Sequence, residues 1–325
     1  MPDSRPEYSQ RRLQELEASI DPVHALLGDH RLCVYATGSY GRMEAWSGSD
    51  IDLFFLYDDA DESTRLPWTV FVQLAAHLIK VTADMGFPPF SGDGKYLEIQ
   101  YVREMGEVLG SARDDSLNTF TARMLLLLES HPLYRQDVHL ALLERIIGFY
   151  YRDYEDHTDT FLPTFLVNDI LRFWRTLTLN YEHHRLKLLA LTDEQLQRKK
   201  AESALKNYKL KVSRQATCYS MVANLSTEQP PVRPQTVLDL CRMTPSQRFE
   251  RLRAHDGADG LVQELVGEYE QFLHVTQRPE PELLELFVNP TERKQALARA
   301  KTYGDLIYRL LKQVVPEERM RSLVV

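Results

Sequence analysis

The sequence predicts an α+β chain: a small mixed sheet with flanking helices, followed by an all-helical domain. Two observations carry this. Three short apolar runs with strand character fall before residue 112, separated by helical patterns. From Ser116 onward every apolar pattern recurs at helical spacing, and no further strand is expected. The expected domains are therefore 1–112 and 113–325, with a possible subdivision near 226–234.

In chain order, Leu13, Leu16, Ile20, Val23 and Leu27 mark an amphipathic helix from about Glu7 to Leu27. Leu32 to Ala36 reads as a short buried strand stopped by Gly38, and Ile51 to Tyr57 as a second, almost wholly apolar strand. A helix follows from about Trp68 to Met85, broken by Gly86-Phe87-Pro88-Pro89, and Ser91 to Gly94 makes a turn. Tyr96 to Val102 alternates apolar and polar residues, as a half-buried third strand should. Helices are then expected over Thr121 to Leu128, Val138 to Tyr151, Pro163 to His184, Asp193 to Leu225, Gly260 to Leu273 and Arg293 to Val314. The polar, three-proline stretch Ser226 to Pro234 is the best linker candidate, since proline forbids a continuous helix there.

Bulk properties narrow the functional classes. The 325 residues are 43% hydrophobic and 26% charged, the balance of a protein that buries a core. A formal net charge of -8 excludes non-specific binding of polyanions by the whole molecule, so any nucleotide contact needs a local basic patch. Cys33, Cys218 and Cys241 are odd in number and lack close pairing, against a disulfide framework or a zinc knuckle. No apolar run reaches the roughly 18 residues of a membrane span. The charged N-terminus lacks the apolar stretch of a signal peptide, so a cytoplasmic protein with no membrane partner is expected.

The chemistry gathers at Asp50-Ile51-Asp52. On a strand, residues two apart project to one face about 6 to 7 Å apart. Two carboxylates so held repel unless a cation joins them. Mg²⁺ suits this arrangement, taking a couple of carboxylates plus substrate phosphate oxygens and water. Gly38-Ser39 ends the preceding strand, where glycine lets the backbone approach a phosphate and serine can donate to it. A phosphate grip beside a metal clamp is the layout needed to hold a nucleoside triphosphate for attack at its α-phosphate.

Gly38-Ser39, ten intervening residues, then Asp50-Ile51-Asp52-Leu53 resembles the signature of the DNA polymerase β-like nucleotidyltransferase superfamily. The longer string Gly38-Ser39-Tyr40-Gly41-Arg42-Met43-Glu44, running on to Ser49-Asp50-Ile51-Asp52, is most similar to the catalytic domain of bacterial uridylyltransferases that modify PII signal proteins. Thr37 stands where the superfamily usually has an apolar residue. The resemblance implies a nucleotidyltransferase-fold sheet, nucleotide contacts from Gly38, Ser39, Arg42 and Ser49, and metal ligation by Asp50 and Asp52. It further implies a third carboxylate from a later strand, acting as metal ligand or base. Glu98, flanked by apolar neighbours, is the candidate, with Asp93 in the turn as rival; the family more often has aspartate here.

Two later helices carry organised polar stripes. In the first, Leu166, Ile170, Phe173, Trp174, Leu177 and Tyr181 form the apolar face, with Asn168, Arg172, Arg175 and Thr176 opposite. In the second, Leu205, Tyr208, Val212, Ala216 and Tyr219 face inward, with Asn207, Lys211 and Arg214 on the far side. Arg172, Arg175, Lys211 and Arg214 are expected to grip the triphosphate or an anionic acceptor. The bland alternative is a solvated face with pairs one turn apart, such as Asp169 with Arg172.

Other signals carry less. His255-Asp256 resembles the metal-binding dipeptide of a phosphohydrolase domain found in full-length PII uridylyltransferases, but further ligands at set distances are missing. His157, His183 and His184 have no partners at ligand spacing, and no Walker motif, Rossmann glycine string or Ser-His-Asp arrangement occurs. The expected function is transfer of a nucleoside monophosphate from an NTP, ATP among them, to an acceptor hydroxyl, with Mg²⁺ or Mn²⁺ as cofactor and pyrophosphate released. The acceptor is expected to be a protein, with a small molecule or an RNA end as alternatives. The rival from another class is a non-catalytic nucleotide sensor of the same fold.

Overall fold

The computed structural model describes residues 3–28, 30–59, 65–90, 94, 97–186 and 193–324. The chain forms two compact units, Met1–Arg152 and Asp153–Val325.

The first unit contains, in order, α1 (Arg5–Leu27), β1 (Leu32–Thr37), the single turn α2 (Gly38–Gly41), β2 (Asp52–Tyr57) and α3 (Trp68–Asp84). There follow β3 (Ile99–Tyr101), α4 (Val102–Val108), α5 (Ala112–Ser116), α6 (Thr119–Glu129), β4 (His131–Tyr134) and α7 (Gln136–Gly148). The four strands make one mixed sheet in the order β3-β2-β1-β4. β1 runs antiparallel to both neighbours, whereas β2 and β3 are parallel, starting from Phe55 beside Ile99. Strand alternation sorts the side chains. Leu32, Val34 and Ala36 join Leu53, Phe55 and Tyr57 in a core with Leu13, Leu16 and Ile20 of α1 and Phe71, Leu74 and Leu78 of α3. On the opposite face Tyr35 stacks on Phe54 at 5.7 Å and meets the ring of His139, on α7, at 6.0 Å. The sheet is thus covered on both sides.

A fully buried ion pair ties elements that follow β3. Arg123 donates to both carboxylate oxygens of Asp114, at 2.9 and 2.7 Å, while its Nε donates to the Tyr150 hydroxyl at 2.7 Å. Burial alone would raise the Asp114 pKa; the Arg123 pair, Thr119 and the Gly110 N–H together bring it below the ordinary value.

The second unit is helical among its described residues: α8 (Thr164–Leu186), α9 (Asp193–Lys209), a π-turn (Leu210–Arg214), α10 (Gln215–Thr227), α11 (Pro234–Cys241) and α12 (Pro245–Arg251), then α13 (Asp259–Thr276), α14 (Glu280–Val288), α15 (Pro290–Val314) and α16 (Glu317–Val324). Its core is aromatic: Tyr208 contacts Phe272 and Phe287, and Tyr269 stacks on Phe272 and Tyr303. The two apolar stripes read from the sequence turn inward in part: Leu166, Ile170 and Phe173 are buried on α8, as are Leu205, Tyr208, Val212 and Ala216 along α9 to α10, whereas Trp174, Leu177, Tyr181 and Tyr219 are half-buried. Among the described residues no helix is long and apolar enough to cross a membrane.

The structure differs from the sequence reading at several places. β4 is a strand after Ser116, where none was expected. It is four residues long, contains Pro132, and lies at the sheet edge, where a missing N–H is tolerated. Because β4 completes the sheet, the first unit runs on to Arg152 rather than ending near 112. β3 spans only Ile99–Tyr101, since the chain is already helical at Val102; residue 96 of the expected strand lies outside the described residues. The proline stretch joins α10 to α11 inside one unit, and it is tied down: Val232 is buried and its N–H donates to the Phe161 carbonyl at 2.9 Å.

His139 provides a test of this packing. Its Nε2 lies 2.9 Å from the Ser130 hydroxyl, and that hydroxyl donates onward to the Leu126 carbonyl, so the imidazole is held as a donor. Burial, with His131 nearby, depresses its pKa to about 4. The unfolded chain takes up this proton near pH 6.5 and the folded one only near 4, so acid favours unfolding across that window. Stability of the first unit should fall there with a slope of about 1.4 kcal/mol per pH unit from this group. Urea unfolding at pH 7.5 and pH 5 should show His139→Phe with a shallower pH dependence than wild type; equal dependence contradicts the assignment.

Candidate active site

The site is built by the pairing of β1 with β2. In the antiparallel register Thr37 stands across from Asp52, so the end of one strand faces the start of the other. The chain must leave β1 sharply at this point. Gly38 does so with φ +67°, a left-handed conformation that glycine adopts without strain. A Cβ at Gly38 would lie 3.1 Å from Asp52 Oδ2, which places the Asp52 carboxylate directly over the glycine. The turn expected to grip phosphate and a candidate metal ligand are therefore in contact. Ser39 follows, half-buried at the rim.

Asp50 and Asp52 are both exposed, although Ile51 and Leu53 beside them are each only 3% exposed. Apolar residues pull this segment into the core and leave the carboxylates facing out. Two hard oxygen donors of this kind fit Mg²⁺ or Mn²⁺ and suit a softer metal poorly. Glu98 is exposed and sits immediately before β3 rather than within it. Extending the parallel register back by one residue sets Glu98 beside Phe54, on the face that carries Asp52. That places the two backbones about 8 Å apart, one strand across and two residues along. Among the described residues no group of three His, Cys, Asp or Glu side chains is gathered to hold a metal, so Asp50, Asp52 and Glu98 are not drawn into one cage. Asp93 lies outside the described residues.

Two residues grouped by sequence with the nucleotide contacts occupy the framework instead. Ser49 is buried, and its hydroxyl accepts from the Trp46 N–H at 3.1 Å, closing the turn before Asp50. Arg42 is also buried. Its Nε donates to Glu44 at 2.8 Å and a terminal nitrogen donates to Glu129 at 2.6 Å. Gly41 lies against the same helix end: a Cβ there would stand 1.8 Å from the Glu129 carbonyl oxygen and 3.0 Å from that of Ala36.

Sequence reasoning missed Glu44 and Glu129. A signal was present, for Glu129 is the one charge closing the apolar run Leu125 to Leu128, and Glu44 stands two residues from Arg42 in the motif. Their meeting could not be read, because Glu129 lies 87 residues from Arg42.

The basic stripes belong to the second unit. α8 packs beside α9 and α10: Trp174 meets Tyr219 edge-on at 6.0 Å, and the Ser203 hydroxyl donates to Tyr181 at 3.3 Å. Arg172 is half-buried, 3.5 Å from buried Asp169 one turn earlier. Arg175 is exposed and close enough to Tyr219 to oppose the upward effect of burial on that hydroxyl. Lys211 is exposed and Arg214 half-buried, both on the π-turn.

Residues 7–99 match the model of a family described as "Putative nucleotidyltransferase DUF294". The matched stretch runs from α1 to the first residue of β3 and contains Gly38, Ser39, Asp50, Asp52 and Glu98. The match supports a nucleotidyltransferase domain in the first unit. No curated protein and no solved structure matches the chain.

The glycine contacts are directly testable. Gly41→Ala forces backbone apart and should destabilise the first unit by about 3 kcal/mol. Gly148→Ala, at a helical position with nothing within 4 Å of the added carbon, should be neutral or slightly stabilising. Thermal unfolding of both variants beside wild type checks this, and an unchanged Gly41→Ala protein contradicts the close approach of α2 to α6.

Proposed function

We propose that the first unit transfers a nucleoside monophosphate from an NTP to an acceptor hydroxyl, releasing pyrophosphate, and that it depends on Mg²⁺ or Mn²⁺. The observation that carries this reading is the Asp52 carboxylate seated over Gly38, next to Ser39, in a domain that matches a nucleotidyltransferase family. Gly38 offers the β- and γ-phosphates backbone without a side chain, and Ser39 offers N–H and hydroxyl donors. Asp50 and Asp52 hold the divalent ion. When bound, that ion supplies charge neutralisation for the attacking and leaving oxygens. Glu98, exposed just before β3, completes the ion's ligands or accepts the proton of the acceptor hydroxyl. No covalent enzyme intermediate is required.

A protein side chain is the acceptor we favour, in line with the resemblance of the Gly38–Asp52 string to the uridylyltransferases of PII proteins. Charge supports it over a long nucleic acid: the first unit carries 23 acidic and 14 basic residues. In the second unit, exposed Arg175 and Lys211 are the members of the basic stripes that we assign to anionic groups, whereas Arg172 is already engaged by Asp169.

The test is incubation with each α-labelled NTP and Mg²⁺ or Mn²⁺, offering protein and small-molecule acceptors, with wild type beside Asp52→Asn. Label transfer and pyrophosphate release are expected from wild type and should fall at least about 100-fold in the variant. Transfer that survives Asp52→Asn would sink the mechanism. Binding of an NTP with no turnover on any acceptor would favour a nucleotide sensor instead.

A further inference from the structure

We infer that Arg42 is a positioning residue of the nucleotide site, acting through Ser39 rather than touching phosphate. The guanidinium is only 8% exposed and lies between two carboxylates that are themselves buried, Glu44 and Glu129. A group so placed cannot reach a phosphate at the rim without stripping both partners, which would leave two buried charges uncompensated by it. Its effect must pass through the backbone that it holds.

That backbone is the segment from Gly38 to Ala45. The Arg42 N–H donates to the Gly38 carbonyl at 3.1 Å and the Glu44 N–H to the Ser39 carbonyl at 2.8 Å, so the grip turn shares one loop with Arg42 and Glu44. Met43 within it holds φ +60°, a conformation that a non-glycine residue keeps only when its surroundings impose it. The surroundings do so from two helices. α6 contributes Glu129 to Arg42 and its last carbonyl against Gly41. α1 contributes Arg5, which donates to the Glu44 carbonyl at 2.5 Å, and Ser9, whose hydroxyl accepts from the Ala45 N–H at 2.9 Å. Arginine suits the centre of this clamp because its planar fork engages two carboxylates at once, through Nε and a terminal nitrogen. Lysine, a point charge, cannot reproduce that geometry. Catalytic donors misplaced by a fraction of an ångström lose much of their effect, so a loosened clamp should lower activity with every phosphate contact still present in the sequence.

This inference rests on the nucleotide reading of Gly38–Ser39, and Trp46 allows the two to be separated. Trp46 directly follows the last clamped residue, Ala45, with its ring against Gly48, and the chain has only two other tryptophans, Trp68 and Trp174. In a Trp68→Phe/Trp174→Phe background, acrylamide quenching of Trp46 reports loop order without any ligand. Binding of MgATP, MgGTP, MgCTP and MgUTP is measured alongside, together with the unfolding midpoint. Glu129→Gln and Arg42→Lys, with Glu44→Gln as the milder variant should either fail to fold, are expected to raise the quenching and weaken nucleotide binding about tenfold. Asp114→Asn, which breaks a second buried pair of this unit, should lower the midpoint at least as much while leaving Trp46 quenching and binding as in wild type. Unchanged quenching in the folded clamp variants overturns the inference, as does an equal effect of Asp114→Asn. Raised quenching in the clamp variants of a protein that binds none of the four nucleotides upholds the anchoring and overturns the nucleotide reading alone.

Discussion

The antiparallel pairing of β1 with β2 is the constraint on which the site depends. One register step decides whether Asp52 meets Gly38 or points into the opposite face of the sheet, because successive strand residues alternate sides. That register is strongly imposed. Val34, Ala36, Leu53 and Phe55 must all fall on the face covered by α1 and α3, and a slip by one would send them to the other side. The hydrophobic core therefore sets the geometry of the carboxylates without touching them. Gly38 completes the arrangement, since only a residue without a side chain allows the turn and the close carboxylate together.

Buried charge organises the rest of the first unit. Two arginines are turned inward, Arg42 between Glu44 and Glu129, and Arg123 onto Asp114 and Tyr150. Such pairs add little net stability over apolar residues of equal size, but breaking one by removing a partner is severe, on the order of 3 to 5 kcal/mol. Their value lies in direction. A salt bridge with fixed hydrogen-bond geometry specifies where a loop or helix sits more narrowly than apolar contact does. Around Gly38 that specificity is placed where loop position would decide chemistry; around Arg123 it joins α5, α6 and the turn after α7.

Much of this was legible in the residues. The short apolar runs of β1 and β2, the glycine at the strand end and the paired aspartates all declare themselves locally, and the fold class followed from them. The apolar stripes of α8 and of α9 to α10 were legible for the same reason, since a 3.6-residue period is a local signal. What escaped depends on distant partners. β4 is too short, and interrupted by Pro132, to show a strand pattern; only its place at the edge beside β1 makes it one. Glu98 read as mid-strand because its neighbours alternate, yet pairing with β2 begins one residue later. Arg42 looked like a phosphate ligand because it follows Gly38-Ser39, and only the fold brings Glu129 to it. Ser49 likewise serves the turn that it closes on Trp46.

The central claim is a place: a divalent ion on Asp50 and Asp52, with a triphosphate on the Gly38–Ser39 turn. A crystal structure of the full chain with Mn²⁺ and a non-hydrolysable α,β-methylene NTP tests it most directly, because manganese is located by its anomalous scattering independently of any activity. The account predicts an anomalous peak about 2 Å from carboxylate oxygens of both aspartates, with the phosphates against Gly38 and Ser39. A metal and triphosphate bound together elsewhere on the chain would contradict it.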